Sequence, residues 1–531
     1  METKRVIIAV ALSLLVLIGW NYLFPAPPAV DNPAQTQNQT AEPQAQAELE
    51  KSVAPAVAPA FVPTAGRSVH VKTSRYDAQF NTVGAVLEHF RLLAYKKSME
   101  PDSPPVDLVS SDALAMAPMG VLLNGVGTWR NPNWSFEGND LTLAPGETGT
   151  LTFVGDIDGL RLARELTFSG DSYVIEEKVR LLGATTAQAA GSSIGFTLAA
   201  SSFTSEEDKY NPTAIAYFTG DKVSSEADRD DLAKGITSEA GLKWAGVESN
   251  YFLLGLAPLG LDLSLKAKFE GDVFRVAMQK TGMVDESGQP SVAVAYYFGP
   301  KLDKEMALAP NDIAASATYG WFDFVSKPLM TALRFFQHYV GNWGVAIILL
   351  TVLIKIIFLP LSHKSYKSME QMKKLQPMMQ KLREKYKDDR ERMNQEVMSL
   401  YKTYKVNPAG GCLPMVVQIP VFIGLYQALL KAIELRHAPF IVHVPFTDMI
   451  WLADLSAKDP YYVTPLIMGA TMFLQQKLTP TPGDPTQAKI MMLMPLVFTF
   501  MFLNFPSGLV VYWLVNNVLS IAQQWWMLRN K

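Results

Sequence analysis

The hydrophobic positions change period along the chain. Residues 6–24, VIIAVALSLLVLIGWNYLF, form an apolar run behind Lys4 and Arg5. A spanning helix needs about 20 apolar residues, whereas a signal-peptide core has about 7–15. This run has spanning length, and Pro25, Pro27 and Pro28 follow it instead of a small-residue cleavage site. The reading is an uncleaved anchor over 1–24 with a cytoplasmic N-terminus, because positive flanks stay inside. A cleaved signal peptide is the alternative. Residues 25–64, rich in Pro, Ala and Gln, have too few large apolar side chains to offset ordering entropy, so they predict a flexible tether.

Over 65–315 the period becomes two. SVHVKT, LTLAPGETGTLTFVG, LRLARELTFSGDSYVIEEKVRL, VFRVAMQK and SVAVAYYFG alternate apolar and polar residues between Gly, Asp, Asn and Pro turns. That pattern predicts an all-β sandwich. Behind an inward-anchored span, the domain lies outside the cytoplasm. The acidic TSEEDKYNPTAIAYFTGDKVSSEADRDD reads as a solvated loop region.

Beyond residue 315 the period lengthens. WFDFVSKPLMTALRFFQHYVGN, within 316–341, is too polar to span. It predicts an interfacial amphipathic helix with Trp and Phe toward lipid. Five apolar segments follow, at 343–361, 413–432, 461–478, 490–505 and 509–528. They divide the region into a second span (342–361), a basic helical hairpin (362–410) and four further spans (411–531). The fold class is a polytopic α-helical membrane protein of six spans with a large all-β domain.

Charge orients this arrangement. Residues 362–408 carry twelve Lys and Arg against six Asp and Glu, while 433–460 has only Arg436 and Lys458 as basic residues. Six spans with both termini cytoplasmic place the basic loops inside. The whole-chain net charge of −3 gives no case for specific nucleic-acid binding. A single cysteine, Cys412, excludes an intramolecular disulfide and a cysteine metal cluster, and reads as a small buried apolar residue.

Lys355 stands out in ILLTVLIKIIFLPL. A charge at mid-bilayer costs about 2.5–3.5 kcal/mol on insertion scales and marks function or finds a partner. Leu361 lies six residues on, so a lysine snorkelling to the headgroups explains the position equally well. Thr351, at i−4, shares its face. Gln418, Gln427, Gln475, Gln476, Asn504, Asn516, Asn517, Gln523 and Gln524 add polar groups to the other spans. Each alone is helix–helix glue. Together with a lysine, and with no acidic residue in the core of any span, they suit a wet cavity.

The 362–410 loop predicts two helices joined near Lys387–Asp389. Methionines 369, 372, 378, 379, 393 and 398 lie on its apolar face. A net charge of +6 beside an anionic leaflet suits lipid, ribosome or nascent-chain contact, against the plain alternative of a solvated hairpin. No phosphate loop, no HExxH and no metal-ligand spacing occurs, so no nucleotide, metal or other cofactor is expected. His70 and His89 of the β domain join no nucleophile motif.

KVNPAGGCLP, ELRHAPF, DPYY and FPSGLVVYW resemble the YidC family of membrane protein insertases, related to the mitochondrial Oxa and chloroplast Albino proteins. The likeness is densest over 320–528 and is to the Gram-negative form. It implies a five-helix core around a hydrophilic groove, and a periplasmic supersandwich similar to sugar mutarotases without implied catalysis. It implies inner-membrane localisation and, as partners, nascent membrane proteins and the Sec translocon. The implied groove residues are Lys355, Thr351, Phe422, Met468, Met501, Tyr512 and Trp513. Arginine is usual at Lys355 and tyrosine at Trp513, so this chain departs from the pattern twice. The segment IVHVPFTDMIWL also looks longer than usual. The implied activity is membrane insertion, not catalysis. A small-anion transporter, or a membrane-anchored carbohydrate enzyme, is the competing class.

Overall fold

The computed structural model describes residues 66–531 apart from 101, 204–209, 239–240, 261, 286, 387–388, 405, 407–412, 445–446, 448, 479–484 and 530–531. The expected anchor, the tether and Cys412 lie outside the described residues.

Between Ser68 and Pro300, alternating segments become strands because each can bury one face and wet the other. Three sheets of five, nine and six strands share one apolar core. In the nine-stranded sheet, Thr148–Ile157, Leu160–Ser169, Val174–Leu182, Ser291–Pro300 and Phe252–Leu259 are successive antiparallel neighbours. Asp158 and Gly159, both at positive φ, make the two-residue turn that joins the first pair. Val174–Leu182 keeps its period, with Ile175, Glu177, Val179 and Leu181 buried. Phe252–Leu259 has no period because it is buried on both faces.

Two of these inward positions are charged. Arg164 and Glu177 are fully buried and bond at 2.5 Å through Nε and Oε1. Arg164 also donates to the carbonyls of Gly84, Ala85 and Met119, and the Tyr296 hydroxyl donates to Glu177 at 2.8 Å. Such a pair is tolerable in a core only when hydrogen bonds occupy the remaining donors and acceptors.

Seven long helices follow: α1 (Asp323–Val340), α2 (Trp343–Lys385), α3 (Arg390–Thr403), α4 (Leu413–Lys431), α5 (Val463–Leu478), α6 (Pro485–Phe502) and α7 (Ser507–Arg529). Gly341, in the left-handed region, ends α1. Asn342 then caps α2, its Oδ1 accepting from Val345 N at 3.0 Å. Helix α2 does not stop at Leu361. It continues through Pro360 and Pro377 as one arm of the basic hairpin. Leu375, Met379 and Val406 close the hairpin core, where the Tyr401 hydroxyl donates to Met379 Sδ. The methionines are therefore divided, with Met379 inside and Met378 and Met398 exposed.

In the bundle, α2 lies against α1 and α7, α4 against α1, and α5 between α6 and α7. Its outside is apolar: Ile356 and Ile357 on α2, Val416 on α4, Leu466 on α5, and Leu496 and Phe500 on α6 are exposed. Among the described residues, α2 alone is long and apolar enough to cross a membrane by length and composition. Val416–Lys431 and Met491–Phe502 are shorter apolar helices. On α1, Trp321 just before it and Phe324, Phe335 and Tyr339 within it are exposed, while Ser326, Met330 and Leu333 face the bundle.

The β domain and the bundle meet through a built contact. Ile433, just past α4, joins the β-domain core. Asn250 Nδ2 donates to Leu430 O at 3.4 Å, and Arg436 Nη2 donates to Lys97 O at 3.3 Å. Arg334 of α1 bridges Glu434 at 2.8 Å and Asp303 at 3.4 Å.

Candidate functional site

Lys355 lies on the bundle side of α2, half-buried between exposed Ile356 and buried Ile354. Its Nζ donates to Ser520 Oγ of α7 at 2.6 Å, and Ser520 Oγ donates to Asn516 O at 2.7 Å. Among the described residues, no carboxylate lies within 4.0 Å of Lys355. Counted from Trp343, Lys355 lies about 18 Å along the α2 axis. Ser520 lies at a similar depth, about 20 Å from the start of α7. The two parallel helices therefore bring lysine and serine level.

The polar row continues on α4 and α5. Gln418 Nε2 donates to Asn516 Oδ1 at 3.2 Å, and Asn517 Nδ2 to Thr471 Oγ1 at 3.4 Å. Gln524 Nε2 donates to Leu478 O at 2.8 Å. Buried donors remain unmatched at Trp513 Nε1, Gln476 Nε2 and Gln523 Nε2. Nearer the β domain the lining turns aromatic. Phe422 of α4 meets Trp513 of α7 edge-on at 4.5 Å and stacks over Tyr512 at 6.4 Å, while Phe498 and Phe502 of α6 flank Trp513.

The seven residues singled out in the sequence all fall on this bundle, but at different depths of burial. Lys355, Phe422, Met501 and Trp513 are half-buried. Thr351, Met468 and Tyr512 are buried. The Thr351 hydroxyl donates to Ile347 O at 2.7 Å, and the Lys355 ammonium is directed to Ser520 instead. Of the expected glue residues, Asn504 is exposed in the turn after α6. Glu434 pairs with Arg334.

Ser520, the partner of Lys355, was not singled out. Its only sequence signal is its place four residues after Asn516, on one helix face. Two of the quoted motifs prove to be fastenings. Asp459 of DPYY, fully buried, accepts from Trp451 Nε1 at 3.0 Å and from Thr464 N and Oγ1 at 2.7 Å each. It ties the β-hairpin of Ile441–His443 and Ile450–Leu452, formed by the long IVHVPFTDMIWL segment, to the start of α5. Ser507 of FPSG bonds Asp454 O and Ala457 O, anchoring the start of α7.

Two family models cover nearly all of the described chain. The YidC periplasmic domain matches residues 68–332, and the 60Kd inner membrane protein matches 335–531. A membrane protein insertase YidC of Nitratidesulfovibrio vulgaris (strain Miyazaki F) is 56% identical, over 100% of both chains. The chain belongs to the YidC family of membrane protein insertases. A second YidC, from Lawsonia intracellularis, is 50% identical over 100% of both chains. A solved active YidC insertase, with its first transmembrane domain resolved, is 18% identical; the match covers 88% of this chain and 94% of that one, with a TM-score of 0.36. In this YidC-family chain the β-rich part is the periplasmic domain, and the helical part is the inner-membrane region.

Proposed function

We propose that this insertase accepts the short polar or acidic tail of a nascent membrane protein in the row between α2, α4 and α7, with Lys355 as the receiving charge. The observation that carries the reading is the Lys355–Ser520 contact. It holds an ammonium inside the bundle on a hydroxyl, with no carboxylate among the described residues to neutralise it. The unmatched donors of Trp513, Gln476 and Gln523 point the same way, because buried donors are satisfied by water or by a polar guest. Such a row removes part of the desolvation cost of a polar tail. The following apolar helix then leaves into lipid, and its burial drives the tail across. The step needs no nucleotide, metal or catalytic residue.

In the same reading Thr351, Met468, Tyr512 and Met501 form the wall behind Lys355, Phe422 and Trp513. The chain crosses the inner membrane six times with both termini cytoplasmic and residues 25–315 periplasmic. The mixed polarity of α5 and α7 fits helices that shield each other from lipid. The domains follow as anchor, tether, β supersandwich, interfacial helix, hairpin and five-span core. The hairpin of α2 and α3 contacts ribosome, nascent chain and anionic lipid, and the Sec translocon is a working partner.

The test is protease protection of a short-tailed substrate in vesicles carrying Lys355→Ala. Insertion should fall, and Lys355→Arg should match wild type or better. Unchanged insertion with Lys355→Ala removes the lysine from the mechanism. Anion flux without substrate crosslinks would favour a channel. Activity lost on deleting most of 65–310 would favour an enzyme.

A further inference from the structure

On the outside of the bundle, α1 and α2 flank an open groove of about 660 Å³, away from Lys355. Two stripes of α1 line it. Lys327, Thr331 and Phe335 are exposed along one edge, and Ala332 and Phe336 are half-buried beneath them. Leu353 of α2 supplies the opposite wall. Asp323 extends the polar end of the stripe. It accepts from Tyr319 N at 3.0 Å with one oxygen and pairs with Lys327 Nζ at 2.6 Å with the other. The groove is thus an apolar trough with one cation, Lys327, in its lining, and with Asp323, paired to that lysine, just outside the same end. It is continuous with the exposed apolar side chains of α2 and the exposed aromatics of α1.

We propose that this groove seats one phospholipid whose headgroup carries a primary ammonium, with Lys327 on its phosphate, Asp323 on its ammonium and one acyl chain over Ala332, Phe336 and Leu353. The charge order decides the lipid class. A purely anionic headgroup would meet Asp323 as well as Lys327. A quaternary ammonium has no N–H to give Asp323. A zwitterion with a primary ammonium opens the Lys327–Asp323 pair and satisfies both halves. This inference rests on the membrane placement of the helical region and is independent of the role given to Lys355.

Native mass spectrometry of the full chain reads the occupancy. The chain is released from nanodiscs made with phosphatidylethanolamine or with phosphatidylcholine of the same acyl chains. One retained lipid is expected, with phosphatidylethanolamine favoured by about tenfold, the worth of one charge-assisted hydrogen bond. Asp323→Asn keeps the bond from Tyr319 N and should erase the preference while leaving an adduct. Ala332→Trp should remove the adduct, and Leu359→Trp, outside the groove, should not. Should Ala332→Trp fail to fold, Asp323→Asn decides alone. Equal retention of the two lipids by wild type, or an unchanged preference in Asp323→Asn, overturns the proposal. A crosslinker at position 332 that captures a polypeptide instead of lipid also overturns it, in favour of a partner helix.

Discussion

Lys355 of α2 and Ser520 of α7, 165 residues apart in sequence, are joined by a 2.6 Å hydrogen bond inside the helical bundle. The serine is held in turn by Asn516 O, which leaves its hydroxyl oxygen facing the lysine. A hydroxyl can orient an ammonium but cannot neutralise it. A carboxylate in the same place would make a closed ion pair with little attraction left for a guest.

Replacing Lys355 by Met keeps the stem and removes the charge. Lys355 has no carboxylate partner among the described residues, so removing its charge leaves no buried counter-ion stranded. The melting temperature of the purified full chain should therefore hold or rise. Insertion of a short-tailed substrate should fall roughly ten- to a hundredfold, matching about 1.5–3 kcal/mol for a hydrogen bond to a charge. A lower melting temperature with intact insertion would make Lys355 a structural residue.

The Arg164–Glu177 pair predicts the opposite balance. Arg164→Ala strands a fully buried carboxylate and three carbonyls, and should destabilise the β domain by about 3–5 kcal/mol. Glu177→Gln keeps one acceptor oxygen for Arg164 and offers an amide N–H to the Tyr296 hydroxyl, which can turn to accept it, so it should cost less. Denaturant melts of the full chain, followed at the β-domain transition, rank the two. Equal costs would mean that the charge of Glu177, and not its hydrogen bonding, holds the site.

Much of this architecture can be read in the chain, for definite reasons. Strands with one wet face, such as Val174–Leu182, announce themselves by period. Phe252–Leu259 does not, because both of its faces are covered and FLLGLAPL could equally be a buried helix. The inward Arg164 is invisible in LRLARELTFS, where an arginine reads as solvent-facing. Lys355 is conspicuous because lipid makes any charge conspicuous. Ser520 is not, since a serine in an apolar helix is ordinary. That α2 runs past Leu361 was hidden by Pro360, which marks a helix end in most sequences but is accommodated here within the helix.

Acid should loosen the loop after α4 through His437. Burial, and then the neighbouring Arg436 guanidinium, hold its imidazole below the ordinary value; Asp454, at 3.9 Å, opposes them. The unfolded chain thus takes up this proton first as pH falls. The contribution is neutral above about 6.5, the ordinary histidine value, and destabilising below it. Asp285, whose carboxylate is held low by Ser287 and Ser291, keeps its full stabilising effect above the ordinary carboxylate value of about 3.9, so it does not contribute between pH 7.5 and 5.5. Melting temperatures at pH 7.5 and 5.5 should diverge in wild type and diverge less in His437→Asn. Asparagine tolerates the positive φ at this position. An identical pH response in both chains rules His437 out.

Arg334 should be the residue through which the β domain holds the bundle. Its guanidinium reaches Glu434 beyond α4 and Asp303 of the β domain together, and it is about a third exposed. Each contact is therefore modest, and Arg334→Gln should cost about 1 kcal/mol. Arg334→Glu should cost more, because three acidic groups then converge. Adding Glu434→Arg to Arg334→Glu restores the α1–α4 contact but leaves like charges facing Asp303, so rescue should be partial. The readout is the rate of proteolytic cleavage between residues 300 and 320 in the full chain, which rises as the domains separate. Full rescue by the double exchange would assign the coupling to Glu434 alone, and no change with Arg334→Glu would place it in the Ile433 and Asn250 contacts instead.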